Sequence, residues 1–231
     1  MDYDAINARY KVFYRDIQYK NANGKFSSYF HKRIEKDLPF GKFERVLEVG
    51  AGSAEHFRYV SHDFQEYVIS DLVHPELETD LAMLISDLRV KGKEIRIEIQ
   101  DVQDLKYPDS HFDRVVITCL LHHVSDPMRA LNEVRRVVKC GGLVSIYVPS
   151  DPGLIYRLAQ TLFSTISFRD FFSDQEIKFL RATEHRNHVG SLIGMIIGVF
   201  EFDKVSQRSF PKYTPGWNTR IFDVFQIEVE K

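Results

Sequence analysis

The stretch that decides the fold is Arg45-Val46-Leu47-Glu48-Val49-Gly50-Ala51-Gly52. A short apolar run that ends at two glycines, one residue apart, is typical of a buried strand followed by a tight turn. Such a turn lets the backbone approach a nucleotide closely, or it simply joins a strand to a helix. Outward from this stretch, strand and helix patterns alternate up to residue 150, which predicts a parallel sheet with helices on both faces.

Four further apolar runs continue this pattern along the chain. Their limits predict strands at residues 67–70, 95–99, 112–118 and 143–148. Helical spacing predicts helices at residues 54–61, at 81–88 and from Ser125-Asp126-Pro127 to Gly141-Gly142. In the last third, the patterns predict helices at residues 152–166, 174–181 and 188–199, then antiparallel strands at 204–210 and 221–230.

Residues 1–40 differ in composition, being rich in Tyr, Phe, Lys and Arg, with helical spacing up to Leu38-Pro39. No linker rich in Pro, Gly or Ser follows, so we expect one or two helices that form a cover or lid on the main domain. The expected organisation is this cover, a single domain over residues 41–231, and a helical insertion at about 151–200 that shapes the substrate site.

The composition narrows the class of protein. The chain has 231 residues, 31 Lys and Arg against 33 Asp and Glu, and a formal net charge of −2. This balance argues against a nucleic-acid-binding protein that works by bulk electrostatics. Cys119 and Cys140 are too few for a disulfide framework, and the sequence shows neither an apolar leader nor an apolar run as long as a bilayer span. We therefore expect a cytoplasmic protein that neither binds nucleic acid nor inserts stably into a membrane.

The glycine loop also indicates the kind of ligand. A dinucleotide site requires a third glycine three residues after Gly52, where this chain has Glu55, whose carboxylate would repel a pyrophosphate. The sequence also contains no phosphate loop of the Gly-Lys-Ser/Thr type. The ligand expected at this loop is therefore nucleoside-like and carries no phosphate there.

Three further strand ends supply polar groups for such a ligand. Asp71 ends the second strand, where a carboxylate can accept hydrogen bonds from both ribose hydroxyls, although a loop acid or helix cap would look the same. Asp101 ends the third strand, where it could accept a hydrogen bond from an exocyclic amine. Thr118 ends the fourth strand, so all of these positions open onto one crevice.

Five segments together resemble a known family. They are Val46–Gly52, Asp101–Leu105, Phe112–Val116, Leu121–Val124 and Arg136–Gly142. In this order and spacing they are similar to the signature of class I S-adenosylmethionine-dependent methyltransferases, most of all the small-molecule branch typified by quinone-biosynthesis enzymes. The resemblance covers roughly residues 44–150. One departure, Cys140 where that branch has proline, concerns a helix end and not the ligand site.

The resemblance implies a fold, a cofactor and a set of site residues. The fold is a doubly wound, Rossmann-like α/β domain with a seven-stranded mixed sheet in the order 3-2-1-4-5-7-6, the last strand antiparallel. The cofactor is S-adenosylmethionine, and no metal is expected. Asp71 would bind the ribose, Asp101 the adenine amine, and the Thr118 carbonyl the methionine ammonium group. The implied cofactor-binding residues are Glu48, Gly50, Ala51, Gly52, Asp71, Leu72, Asp101, Val102 and Thr118.

The implied reaction is methyl transfer (EC 2.1.1.-) by displacement at a sulfonium methyl, in which the enzyme aligns the acceptor and excludes water. A general base is needed only for a hydroxyl or a protonated amine. Candidate bases are His122 and His123, for which a structural role competes, and His185, in a polar segment expected to line the acceptor pocket.

The acceptor is expected to be a small molecule, such as a sugar, a quinone precursor or a lipid-linked headgroup. O-methylation ranks ahead of N- or C-methylation because histidines are available as bases. Thr118-Cys119-Leu120-Leu121 stands in place of the Asn/Asp-Pro-Pro-aromatic turn that clamps a planar amino group, which disfavours nucleic-acid and protein acceptors. A monomer or a homodimer is expected. The alternative function is a regulatory or partner subunit that binds S-adenosylmethionine without turnover.

Overall fold

Seven strands form one mixed sheet in the computed structural model, which describes residues 3–13, 22–36, 38–75, 77–163, 171–184 and 186–231. The strands are β1 (Lys42–Val49), β2 (Asp63–Asp71), β3 (Glu94–Ile99), β4 (Phe112–Thr118), β5 (Val138–Pro149), β6 (Lys204–Phe210) and β7 (Phe222–Glu228). Their order across the sheet is β3-β2-β1-β4-β5-β7-β6. β7 is antiparallel to β5 and β6, and the remaining neighbours are parallel. The predicted fold is confirmed, and each predicted strand overlaps an observed one.

Helices cover both faces of this sheet. They are α1 (Tyr3–Phe13), α2 (Ala22–Ile34), α3 (Thr79–Val90), α4 (Pro127–Val137), α5 (Leu154–Phe163), α6 (Asp174–Glu184) and α7 (Val189–Val199). On one face, apolar side chains of α4 and α7 pack against the sheet, and on the other those of α2 and α3 do so. α1 packs with α6 in a small separate cluster. None of the described helices is both long and apolar enough to cross a membrane.

The start of α4 shows how the sequence sets a helix boundary here. The Asp126 carboxylate accepts a hydrogen bond from the Arg129 backbone N–H at 2.9 Å, and Pro127 occupies the first turn, as the sequence predicts. The end of α4 is different from the prediction. The helix stops at Val137, and Val138 is already extended and paired with Phe112 of β4. The helical prediction to Gly141-Gly142 is wrong there because strand pairing overrides the apolar spacing.

The predicted helix at residues 54–61 is also wrong. The chain makes a turn and then a short 3-10 helix, Glu55–Tyr59. Ala54 lies in the left-handed region, with φ 59°, which no α-helix accommodates. A non-glycine residue in this conformation is strained, and such strain clusters at functional sites. The structure therefore does not place a regular helix N-terminus after the glycine loop.

Candidate active site

The loop after β1 is built around two glycines with positive φ, 66° at Gly50 and 56° at Gly52. A Cβ atom on Gly50 would lie 2.6 Å from the side chain of Leu120. Glycine is therefore favoured at this position for two reasons, the positive φ and the lack of space for a side chain. The Ala51 N–H donates to the Ser70 carbonyl at 3.0 Å. These contacts hold the loop against the ends of β2 and β4.

Asp71 holds the same loop from the neighbouring strand. One carboxylate oxygen accepts from the Gly52 N–H at 2.7 Å, and the other accepts from the Leu72 N–H at 2.7 Å. Each oxygen has a second lone pair, so the carboxylate can still accept hydrogen bonds from ribose hydroxyls. The Gly52 amide, in turn, is already engaged by a negative charge, which agrees with a loop that binds no phosphate.

Glu48 is fully buried near the end of β1, two residues before Gly50. Its Oε2 accepts from the Tyr67 hydroxyl at 2.9 Å, and the Ser70 hydroxyl donates to the Glu48 carbonyl at 2.9 Å. Burial raises the pKa of the Glu48 carboxyl. Its Oε1 is buried and has no hydrogen-bond partner among the residues that the structure describes. Because buried polar atoms are usually hydrogen-bonded, this oxygen fits a donor from a ligand.

The end of β3 lies next to that of β2. Ile99 pairs with Asp71 across the two strands, and the Gln100 N–H donates to the Asp71 carbonyl at 2.9 Å. Asp101 follows directly, half-buried, and its Oδ1 accepts from the Gln103 N–H at 2.9 Å. The structure thus brings Asp101 to the same edge as the glycine loop, as the sequence predicts.

Apolar residues directly follow these acids at the carboxyl edge of the sheet. Leu72 is exposed directly after Asp71, and Val102 is buried directly after Asp101. At the end of β4, Thr118 is buried and pairs with Tyr147, and the next residue, Cys119, has a positive φ of 52°. The chain therefore turns sharply after Thr118 and leaves the sheet at its carboxyl edge.

The loop after β4 carries the two adjacent candidate bases. The His122 side chain is only 5 % exposed, and His123 is half-buried, with ring centroids 3.9 Å apart. The His122 carbonyl accepts from the Arg186 N–H at 3.0 Å and from the Asn187 N–H at 3.3 Å. The third candidate, His185, lies outside the described residues, so its role stays a prediction from the sequence.

Asn187 has a role that sequence reasoning missed. Its side-chain amide donates to the carbonyls of Leu121 at 3.0 Å and Val124 at 2.7 Å. Together with the backbone bonds to His122, this ties the segment before α7 to the loop after β4. Only its position directly before an apolar helix could have drawn attention to it.

A buried ionic network below the loop is the second feature that sequence reasoning missed. Arg114 lies fully buried in β4, and its guanidinium group is 2.7 Å from a carboxylate oxygen of Glu35, just after α2. The same Glu35 oxygen is 3.2 Å from Nε2 of His56, which belongs to the 3-10 helix after the glycine loop. Nε and Nη2 of Arg114 also donate to the Ser145 hydroxyl, both at 3.1 Å.

This network links the end of α2 to the 3-10 helix that follows the glycine loop. Burial by itself would raise the pKa of Glu35, but Arg114 and His56 outweigh burial and hold it well below its ordinary value. Burial, together with the neighbouring His56, lowers the pKa of His31 to about 3. The two imidazoles contact each other through their Nδ1 atoms at 3.2 Å, so one of them donates to the other. Among the described residues, no group of His, Cys, Asp and Glu is arranged to hold a metal ion.

Comparison with known proteins agrees with this geometry. Residues 47–146 match a family described as a methyltransferase domain. A phosphatidylethanolamine N-methyltransferase of Cereibacter sphaeroides is 30 % identical over 152 residues, which covers 63 % of this chain and 68 % of that protein. The chain belongs to the class I S-adenosylmethionine-dependent methyltransferases.

The chain is also similar to the ubiquinone/menaquinone biosynthesis C-methyltransferase UbiE of Coxiella burnetii. The two are 32 % identical over 114 residues, which is 48 % of this chain and 45 % of UbiE, so the match spans less than half of that relative. A solved S-adenosylmethionine-dependent methyltransferase of Thermotoga maritima superimposes with a TM-score of 0.55 over 97 % of this chain and 100 % of its own, at 15 % identity. That likeness shows the shared fold.

The residues at this edge of the sheet fit S-adenosylmethionine. The ligand has hydrogen-bond donors at its ammonium, ribose and adenine amine, and the edge presents acceptors, chiefly Asp71, Asp101 and the buried Oε1 of Glu48. It carries no phosphate, in agreement with Glu55 after the glycine loop. Its methionine end needs close backbone approach, which Gly50 and Gly52 permit.

Proposed function

We propose that this methyltransferase transfers a methyl group to a small-molecule acceptor with an apolar part, such as a quinone precursor, a lipid-linked headgroup or a sugar derivative. The observation that carries the proposal is the meeting of four strand ends at one edge, with the glycine loop, Asp71, Asp101 and Thr118 side by side. The similar proteins include a demethylmenaquinone methyltransferase and a phosphatidylethanolamine N-methyltransferase, which supports an acceptor of this class.

The proposed roles follow the order of groups along the ligand. Glu48, Gly50, Ala51 and Gly52 would bind the methionine end, with the Thr118 carbonyl accepting from its ammonium group. Asp71 would accept from the ribose hydroxyls and Asp101 from the adenine amine, with Leu72 and Val102 beside the ring. When bound, S-adenosylmethionine supplies a methyl group on a cationic sulfur together with the leaving group. The remaining work of the protein is to orient the acceptor in line and to exclude water.

A cover for this site would come from residues 1–40. His31 and Glu35, at the end of α2, contact His56 beside the glycine loop, and α1 packs with α6 of the insertion. Lids that close over a bound ligand keep water from the reacting atoms. We therefore place the acceptor between this cover and the loop that carries His122 and His123.

The first prediction tests the adenine contact. Asp101→Ala should weaken S-adenosylmethionine binding by about 1–3 kcal/mol, because a donor on the ligand then lacks its acceptor. Calorimetric titration measures the change. Asp104→Ala is the matched control, since Asp104 is an exposed acid in the same turn, and its affinity should equal that of the wild type. Equal affinity in both variants would place the adenine elsewhere.

The second prediction concerns the acceptor. Label from methyl-labelled S-adenosylmethionine should appear in a metabolite or lipid extract and not in tRNA or protein fractions. O-methylation remains the expected chemistry because His123 is within the loop that borders the crevice, and mass spectrometry of the product distinguishes O-, N- and C-methyl groups.

His123→Ala should lower kcat at neutral pH and leave cofactor binding unchanged, whereas His111→Ala, at the opposite edge of the sheet, should change neither.

Three outcomes would each contradict a part of this proposal. Label confined to macromolecules would remove the small-molecule acceptor. Cofactor binding without transfer to any fraction would favour the regulatory subunit that binds S-adenosylmethionine and does not turn over. A kcat that is the same in His123→Ala and in the wild type would show that positioning alone determines the rate.

A further inference from the structure

Four large apolar side chains are exposed together beside the crevice. Leu154 and Leu158, one turn apart on α5, are 69 % and 53 % exposed, and Tyr213 and Trp217, between β6 and β7, are 99 % and 37 % exposed. We call these four residues the α5 surface. Most exposed apolar side chains on a protein occur singly, so a group of this kind calls for an explanation.

The two halves of the α5 surface are physically joined. The short 3-10 helix Trp217–Thr219 contacts α5, and a Cβ atom on Gly153 would lie 2.9 Å from the Trp217 carbonyl oxygen. Pro149 at the end of β5 pairs with Phe222 at the start of β7. The segment between β6 and β7 therefore lies at the same edge of the sheet as the glycine loop, where an acceptor must enter.

Cations outnumber acids around this surface, where Asp151, just before α5, is half-buried. Neither residues 152–163 nor residues 205–222 contain an aspartate or glutamate, although the whole chain carries a net charge of −2. Within these ranges lie Arg157 and Lys212, which are exposed, and Arg208 and Arg220, which are half-buried. Of the acids that flank the two ranges, Asp223 is fully buried and is bound by Ser209, Gln207 and Arg220. Positive charge is thus concentrated next to the exposed apolar side chains.

We propose that the α5 surface docks reversibly on an anionic lipid bilayer. An amphipathic helix that exposes leucines, with Tyr and Trp beside it and cations around it, matches the physics of interfacial binding. Cations near an anionic leaflet add attraction that salt screens. Docking in this orientation turns the mouth of the crevice toward the bilayer, and the side chains enter only its interface. It would bring an acceptor with an apolar part to the site without release into water.

The test is co-sedimentation of the full chain with vesicles of phosphatidylcholine alone or mixed with phosphatidylglycerol. The chain should bind the mixed vesicles at low salt, bind phosphatidylcholine much less, and dissociate as salt rises. Leu154→Ser/Leu158→Ser and Lys212→Glu should each weaken binding about tenfold. Phe202→Ser and Lys91→Glu are matched controls because both residues are exposed at the opposite edge of the sheet, and these variants should bind as the wild type does.

Three results would overturn the docking proposal. In the first, the chain does not bind the mixed vesicles at low salt. In the second, it binds both kinds of vesicle equally well. In the third, the control variants lose as much vesicle binding as the variants of the α5 surface. A calorimetric titration of each variant with S-adenosylmethionine is run in parallel and should give wild-type affinity. Failure of the wild type to bind S-adenosylmethionine would count against the proposed function, and failure to sediment would count against docking, so the two are separable.

Discussion

Arg114→Met is expected to lower the free energy of unfolding by about 3–5 kcal/mol, the usual effect of removing one partner of a buried ion pair. The native pair is 2.7 Å apart and almost wholly inaccessible to water. The substitution keeps much of the side-chain volume but leaves the buried Glu35 carboxylate without its guanidinium partner, with only His56 and the Ser61 N–H and hydroxyl still in contact. It also removes the donors to the Ser145 hydroxyl. Urea denaturation followed by circular dichroism measures the change.

Two further variants make this result specific. Arg45→Met removes an exposed guanidinium group from neighbouring β1, 3.3 Å from Glu66, and should cost less than about 1 kcal/mol because water screens that pair. The double variant Glu35→Met/Arg114→Met removes both charges and should recover a large part of the stability that the single variant loses. If Arg114→Met and Arg45→Met are equally stable, the buried pair does not anchor α2 to the sheet.

Acidification from pH 7 to 4.5 is expected to remove stability through two histidines. Burial lowers the pKa of His31 to about 3, and burial with the nearby Arg114 lowers that of His62 to about 4, both from an ordinary 6.5. Between the folded and unfolded values, the unfolded chain binds more protons, so stability falls as pH falls below 6.5. Each histidine then contributes at most about 1.4 kcal/mol per pH unit.

Two carboxyl groups also change the stability as pH falls, and their contributions must be separated from those of the histidines. Glu35, whose pKa is lowered, contributes stability that is complete above its ordinary value of 4.5 and is lost only below it. Glu48 acts in the opposite direction, because its raised pKa makes the folded state take up a proton as pH falls. The histidine contribution is therefore measured as a difference between variants and wild type, in which the Glu48 contribution cancels.

The experiment compares denaturation midpoints at pH 7, 6, 5 and 4.5 for the wild type, His31→Gln and His62→Gln. Each variant should lose less stability on acidification than the wild type, by on the order of 2 kcal/mol at pH 4.5. His74→Gln is the control, since His74 is exposed, and its profile should follow that of the wild type. Parallel profiles for all four proteins would mean that the buried imidazoles do not resist protonation.

The positions of the strands and the glycine loop could be predicted because their signals are local, whereas the order of the strands was implied by the family resemblance. Gly50 and Gly52 show in the sequence that the backbone turns in a way other residues disfavour, and they do so without any knowledge of the rest of the chain. Asp71 and Asp101 could be placed at one edge because all parallel strands end on the same side. By contrast, the end of α4 could not be placed, since Val137 and Val138 fit a helix and a strand equally well in sequence.

The sequence by itself determined the strands and the carboxyl edge where the candidate cofactor residues meet, because strand periodicity and glycine turns depend on neighbouring residues only; the order of the strands was implied by the resemblance to the methyltransferase family. Tertiary structure alone decided that Glu35, Arg114 and His56 form one buried network, and that Asn187 braces the loop after β4. These partners are far apart in the chain, and a charged residue is stable inside a strand only where folding brings it an opposite charge. Which charges meet in the interior depends on packing, and packing has no signature in any single stretch of sequence.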